Sequence, residues 1–183
     1  MDEETLSFFK KNGSKIELTI KRCGTEHIED IISLQNRVYG CIKDKNTFVS
    51  TTIEELTDSL LLDACFGAFF NDSLIAFTLM VVNRECSRNL GIYLDYEPEK
   101  RLQCVTYDTT FIDPQYNGYG LQRFFVALKD SCARDLGATQ ALATVSPDNT
   151  FSIQNLLSSG FEIAAEKPMY GGFRRCILRK ALI

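Results

Sequence analysis

In KIELTIKRC, residues 15–23, apolar Ile16, Leu18 and Ile20 alternate with polar neighbours, the period of a strand with one buried face. The period then lengthens. Ile28, Ile31, Ile32 and Val38 of TEHIEDIISLQNRVYG recur at helical spacing behind Thr25 as N-cap. TTIEELTDSLLLDA opens on Thr51 with Glu54 three residues later, a capping-box signature that predicts a second helix. The polar loop CIKDKNTFVS joins the two. Two apolar runs in CFGAFFNDSLIAFTLMVVN meet at Asn71 and Asp72, which accept turn geometry, so this segment predicts a hairpin. NLGIYLDYEPEK is a linking segment. RLQCVTYDTTFI, residues 101–112, is rich in threonine, valine and aromatics and predicts a central strand. Beyond Gly120, residues Leu121, Phe124, Phe125, Leu128, Cys132 and Leu136 make a helical stripe that stops at Gly137, a suitable C′ residue. ATQALATV predicts another strand, NTFSIQNLLSSGF a short helix ended by Gly160, and GGFRRCILRKAL a closing strand. The order β-α-α-β-β-β-α-β-α-β-β describes one mixed α/β domain over residues 1–183, with parallel pairing near its centre.

Composition narrows the function classes. The 183 residues are 45% hydrophobic and 24% charged, enough for one well-buried core. The net charge is −4 and no Lys/Arg run exceeds two residues, so the electrostatic footprint of a nucleic-acid binder is missing. Seven scattered cysteines form no C-x-x-C pair and fit reduced, mostly buried thiols of a cytoplasmic protein, without a disulfide framework or metal site. A cysteine nucleophile needs a base, and the single histidine, His27, sits at a helix start and is expected on the surface. MDEETLSFFKK lacks the order of a signal peptide, and the longest apolar run, LIAFTLMVV, is too short to span a bilayer.

One stretch carries chemistry. FIDPQYNGYGLQRFF places Gly118 and Gly120 between the central strand and the helix that follows. A helix N-terminus offers unpaired N–H groups and partial positive charge, and a bare loop there suits an anion such as phosphate. Two phosphate loops are excluded. Gly120 is followed by Leu121 and Gln122 where a Walker A loop needs Lys and Ser/Thr, and Arg123 stands where a dinucleotide fingerprint needs its third glycine.

The hexad Gln115-Tyr116-Asn117-Gly118-Tyr119-Gly120 resembles the Q/R-x-x-G-x-G/A signature of the GNAT superfamily of N-acetyltransferases. A second segment, NTFSIQNLLSSGF, is similar to that family's N-x-x-A, helix and Gly-Phe sequence, with Asn149, Ser152 in the small-residue place and Gly160-Phe161. The resemblance covers residues 15 to 182, with its motifs within 101–165. It implies a twisted central sheet of six to seven strands, mixed antiparallel and parallel, flanked by about four helices. It implies acetyl-CoA as acyl donor, no metal, and an amine of a small molecule, peptide or protein as acceptor, in a monomer or homodimer without nucleic-acid or membrane partners. The Ile112 N–H would meet the acetyl carbonyl or pantetheine arm. Tyr116, Asn117, Gly118, Tyr119, Gly120 and Leu121 would offer N–H groups to the pyrophosphate, with Gln115 shaping the loop. Asn149 would bond the pantetheine arm and Ser152 would keep its path open.

The chain also departs from that pattern. Many members carry a general-acid tyrosine seven residues after the motif asparagine, where this chain has Leu156. Tyr170 in KPMYGGF is the substitute candidate, or else a turn-flanking aromatic packed on the core. For the base, simple alternation puts Asp108 on one face with Thr106 and Thr110, and Tyr107 and Thr109 on the other. A carboxylate in a strand suited to burial has a raised pKa and suits a base acting directly or through water; it serves equally as a structural group held by backbone donors. Tyr39, Phe48 and Tyr170 are expected to line the acceptor surface, together with the loop of residues 40 to 51. A coenzyme A-binding sensor or interaction domain without turnover is the alternative to an enzyme.

Overall fold

The computed structural model describes residues 3–182. Its strands are β1 (Glu4–Phe9), β2 (Lys15–Arg22), β3 (Ala64–Phe70), β4 (Ser73–Val81), β5 (Cys104–Ile112), β6 (Gln140–Val145), β7 (Glu162–Met169) and β8 (Phe173–Ala181). Its α-helices are α1 (Ile28–Cys41), α2 (Ile53–Leu62), α3 (Pro98–Arg101), α4 (Leu121–Asp135) and α5 (Thr150–Ser158). All eight strands form one sheet in the order β1-β2-β3-β4-β5-β6-β8-β7, and only β5 and β6 run parallel. The sheet thus exceeds the six to seven strands expected. The extra edge strand is β1, whose Phe8 packs edge-on against Phe124 of α4, ring centroids 5.1 Å apart.

Two apolar layers sandwich the sheet. On one side α4 and α5 bury Leu121, Phe125, Val126 and Leu156 against Leu18, Ala68, Val105 and Leu178. On the other, Ile31 and Leu34 of α1 and Leu56 and Leu60 of α2 cover Cys65, Phe77, Leu79 and Phe111. Each fully buried aliphatic side chain contributes about 1.5–3 kcal/mol, so these stripes hold the helices to the sheet. One polar tie crosses the α4 layer. Asp130 accepts from the Tyr107 hydroxyl at 2.7 Å and from Lys180 at 2.5 Å, linking α4 to β5 and β8. Among the described residues, no helix is long and apolar enough to cross a membrane.

Several local expectations shift by small amounts. Asn71 and Asp72 both adopt positive φ, 46° and 63°, in the hairpin turn between β3 and β4. The capping box of α2 is formed by Thr52 and Glu55, one residue later than expected. Thr51 is unable to cap because its N–H and carbonyl both bond the Gln35 amide, at 2.8 and 3.1 Å. Thr25 opens a short 3-10 turn rather than capping α1. His27 is half-buried there, accepting the Gly24 N–H on Nδ1 and packing on Phe69.

Candidate active site

The central strands part where β5 carries one extra residue. Thr78 faces Thr110 and Met80 faces Tyr107, so Asp108 and Thr109 together oppose Leu79 in a β-bulge. Parallel pairing with β6 ends at the same point, with Tyr107 opposite Ala143. The bulge also reverses the phase of the strand, which corrects the simple alternation. Thr106 bonds Leu90 N–H and Arg88 carbonyl on the α1–α2 side, whereas Thr110 receives Lys129 of α4 at 3.4 Å on the opposite side. Beyond the bulge Asp113 donates its N–H to Ile75 of β4. Strand alternation therefore aims the Ile112 N–H the other way, into the gap that β6 has vacated.

That gap leads to the glycine loop. Gly118 and Gly120 hold φ of 90° and 76°, left-handed values that a side chain disfavours. The N–H groups of Tyr116 and Asn117 are already engaged in a turn with Asp113 and Pro114 carbonyls, so they are not free to meet an anion as expected. Those of Gly118, Tyr119, Gly120, Leu121, Gln122 and Arg123 have no partner among the described residues. Asp113, which the sequence reading overlooked, pins this loop. It is buried, takes the Gln115 N–H on Oδ1 at 3.1 Å and the Arg37 Nε–H on Oδ2 at 2.9 Å, while Arg37 also grips the Leu74 carbonyl. Gln115 thus shapes the loop through its main chain.

The facing wall is α5. Asn149 caps it, with Oδ1 accepting the Ser152 N–H at 3.1 Å, and still lines the cleft. Ser152 receives Gln122 Nε2 at 3.0 Å, and Gln122 Oε1 accepts from Asn155 at 2.7 Å, so one amide stitches α4 to α5. Leu156 lines the same cleft as an apolar wall.

The cleft, about 610 Å³, extends to the α1–α2 loop and the β7–β8 hairpin. Asp108 lies at its floor. Solvent reaches the carboxylate from the cleft, but the surrounding walls strip most of its hydration and raise its pKa; Arg88 and Lys129 pull in the opposite direction. Buried Lys129 is the complementary case: desolvation lowers its pKa to about 7, although Asp108 and Asp130 favour its charge. Arg88 is committed to Asp63, which is buried, at 2.5 Å, and to Ser59 at 2.9 Å. Tyr170, at φ 51° in the β7–β8 turn, hydrogen-bonds Thr144 of β6 at 3.1 Å; the residue is 45% exposed, but neighbouring groups strip hydration from its hydroxyl and raise its pKa, and Asp108 adds to the rise. Phe48 lines the cleft and stacks on Phe111 at 5.5 Å. Tyr39 does not line it. Its ring backs Phe48 at 5.6 Å, because helix α1 ends with that side chain turned outward under Lys45. Burial raises the thiols of Cys23 and Cys65 to about 12 and that of Cys104 to about 11, which keeps these three protonated. No metal-holding cluster occurs among the described residues.

No family model matches the chain, and no curated protein matches it by sequence. Solved structures do. An N-acetyltransferase of Staphylococcus aureus Mu50 superposes with a TM-score of 0.68 at 16% identity, covering 91% of this chain and 99% of its own. The ribosomal-protein-S18-alanine N-acetyltransferase of Escherichia coli gives 0.67 at 17% identity, over 90% and 94% of the two chains. The PaiA N-acetyltransferase of Thermoplasma acidophilum, in complex with coenzyme A, gives 0.64 at 13% identity, over 91% and 99%. The chain has the GNAT fold. Within that fold the end of β5, the first turns of α4 at Gln122 and Val126, and the wall of α5 line one cleft, and the glycine loop leads into α4 just before Gln122.

Proposed function

We propose that the protein transfers an acetyl group from acetyl-CoA to a primary amine by direct attack within a ternary complex. One observation carries this reading: six consecutive N–H groups, Gly118 to Arg123, have no partner among the described residues and lie at the start of α4, whose Gln122 lines a cleft that also holds Asp108, a carboxylate of raised pKa. The fit to coenzyme A is chemical. A helix N-terminus lined with N–H donors suits a pyrophosphate, the strand gap suits an amide-bearing arm that can accept the Ile112 N–H, and Leu156 with Val126 offers the arm an apolar wall.

In this scheme Asp108 removes a proton from the acceptor ammonium, directly or through water. The freed amine lone pair forms the C–N bond at the thioester carbonyl. The Ile112 N–H steadies the negative charge that develops on the carbonyl oxygen, the C–S bond breaks with its electron pair leaving on sulfur, and the nitrogen sheds its remaining extra proton to solvent to give the neutral amide. Tyr170, kept protonated by its raised pKa, returns a proton to the thiolate in this scheme. A thiolate leaves readily near neutral pH, so this last contribution is small.

Calorimetric titration with coenzyme A, followed by a free-thiol assay over a panel of amines, tests the reading. Binding with amine-dependent thiol release is expected. Absence of binding at millimolar coenzyme A would sink it. Binding without transfer to any amine would favour the sensor reading, which Leu156 in place of the family's tyrosine supports.

A further inference from the structure

Arg175 lies on β8 just past the end of β6, is 4% exposed and lines the cleft. Its guanidinium donates to two main-chain carbonyls, Arg174 and Asn46, each at 3.0 Å, and lies over the rings of Tyr170 and Phe173 at 5.8 and 5.5 Å. None of these neighbours carries negative charge. No carboxylate stands within ion-pair distance of it among the described residues. The other cleft cations differ: Arg88 holds Asp63, and Lys129 feels Asp108 and Asp130. A buried cation without an anion is costly, and the guanidinium fork has donors left for a planar carboxylate. Tyr170 feels both charges, with Asp108 raising its pKa and Arg175 lowering it. The negative pole and the unpaired positive pole thus flank one tyrosine.

We propose that Arg175 binds the anionic group of the acceptor, so that the substrate is an amino carboxylate whose ammonium faces Asp108 and whose carboxylate meets the Arg175 fork. This assignment rests on the acetyl-transfer reading and gives it a substrate class. A merely structural Arg175, tying the α1–α2 loop to β8 through Asn46, makes a different prediction: its loss weakens the site equally for all amines.

The test uses matched pairs, each amino acid beside its amide, with acetyl-CoA as donor. Thiol release is followed together with calorimetric binding of each compound to the coenzyme A-loaded protein. The expected result is a preference of at least about tenfold for the acid, in KM and in binding affinity. Arg175→Met costs the acids at least about tenfold more than the amides in kcat/KM, so the preference disappears, and Arg175→Lys restores part of it. Equal handling of acid and amide by the wild type overturns the proposal, as does an equal loss for both in Arg175→Met. Tighter binding of aminophosphonates than of carboxylates overturns the carboxylate assignment. Loss of coenzyme A binding itself would instead strike the acetyl-transfer reading, so the two failures are separable.

Discussion

The two ends of the proposed site are made of different material. At the glycine loop the groups on offer are main-chain N–H, fixed by the positive φ of Gly118 and Gly120 and by the Asp113–Arg37 anchor beneath them. At the other end they are side chains, Asp108, Tyr170 and Arg175, brought in from β5, the β7–β8 turn and β8. A main-chain site recognises any ligand with the right shape and charge, and it changes only when the backbone changes. A side-chain site can be rewritten one residue at a time while the fold stays as it is. Such a division suits a protein with one constant donor and an acceptor particular to itself.

The largest effect that would sharpen this contrast is on rate. Asp108→Asn should lower kcat by ~10²–10⁴ while leaving coenzyme A affinity within about twofold in calorimetry. In the wild type the rate should fall as pH drops through the raised Asp108 pKa, above the ordinary 3.8, and that limb should vanish in the variant. Stability should move the opposite way. Between the ordinary and the raised pKa the folded state holds the extra proton, so rising pH weakens the fold there; Asp108→Asn should therefore melt higher at neutral pH.

Next in size, Gly118→Val should weaken coenzyme A binding by roughly 100-fold, because a branched side chain resists φ near 90°. Unchanged affinity would break the assignment of that end to the donor. Lys129→Met addresses the floor between the two ends. The folded-state pKa of Lys129, about 7, lies below its ordinary 10.5, so wild-type stability should rise as pH increases across that interval. Denaturant titrations of Lys129→Met should show that slope flattened. The smallest effect should belong to Tyr170→Phe, a loss of about three- to tenfold in kcat with donor affinity intact.

The two ends also differ in how far they could be read in advance. Gly118 and Gly120 announce a backbone that needs positive φ, and the apolar stripe from Leu121 marks the helix that the loop must open. Helical and hairpin periods located α1, α2, β3 and β4 for the same local reason. The phase of β5 was hidden, since no glycine or proline at Asp108 and Thr109 betrays the bulge, and pairing with β4 decides it. Arg37 and Arg175 were equally silent. Their bonding partners, Asp113 and Asn46, lie 76 and 129 residues away in the chain, a separation that no local pattern reports. Tyr39 illustrates the reverse error: an aromatic beside the expected loop, yet one layer behind the surface it was meant to form.

The extra residue in β5 behaves like an inserted base in a reading frame. Remove Thr109 and the strand regains perfect alternation, but every downstream side chain is then decoded on the wrong side. Phe111 would leave Phe77 and Phe48, Ile112 would turn from the α4 layer, and the Asp113 anchor would lose its grip on Arg37. Such a deletion should be rescued by a compensating insertion before Phe111, the structural counterpart of a frameshift suppressor.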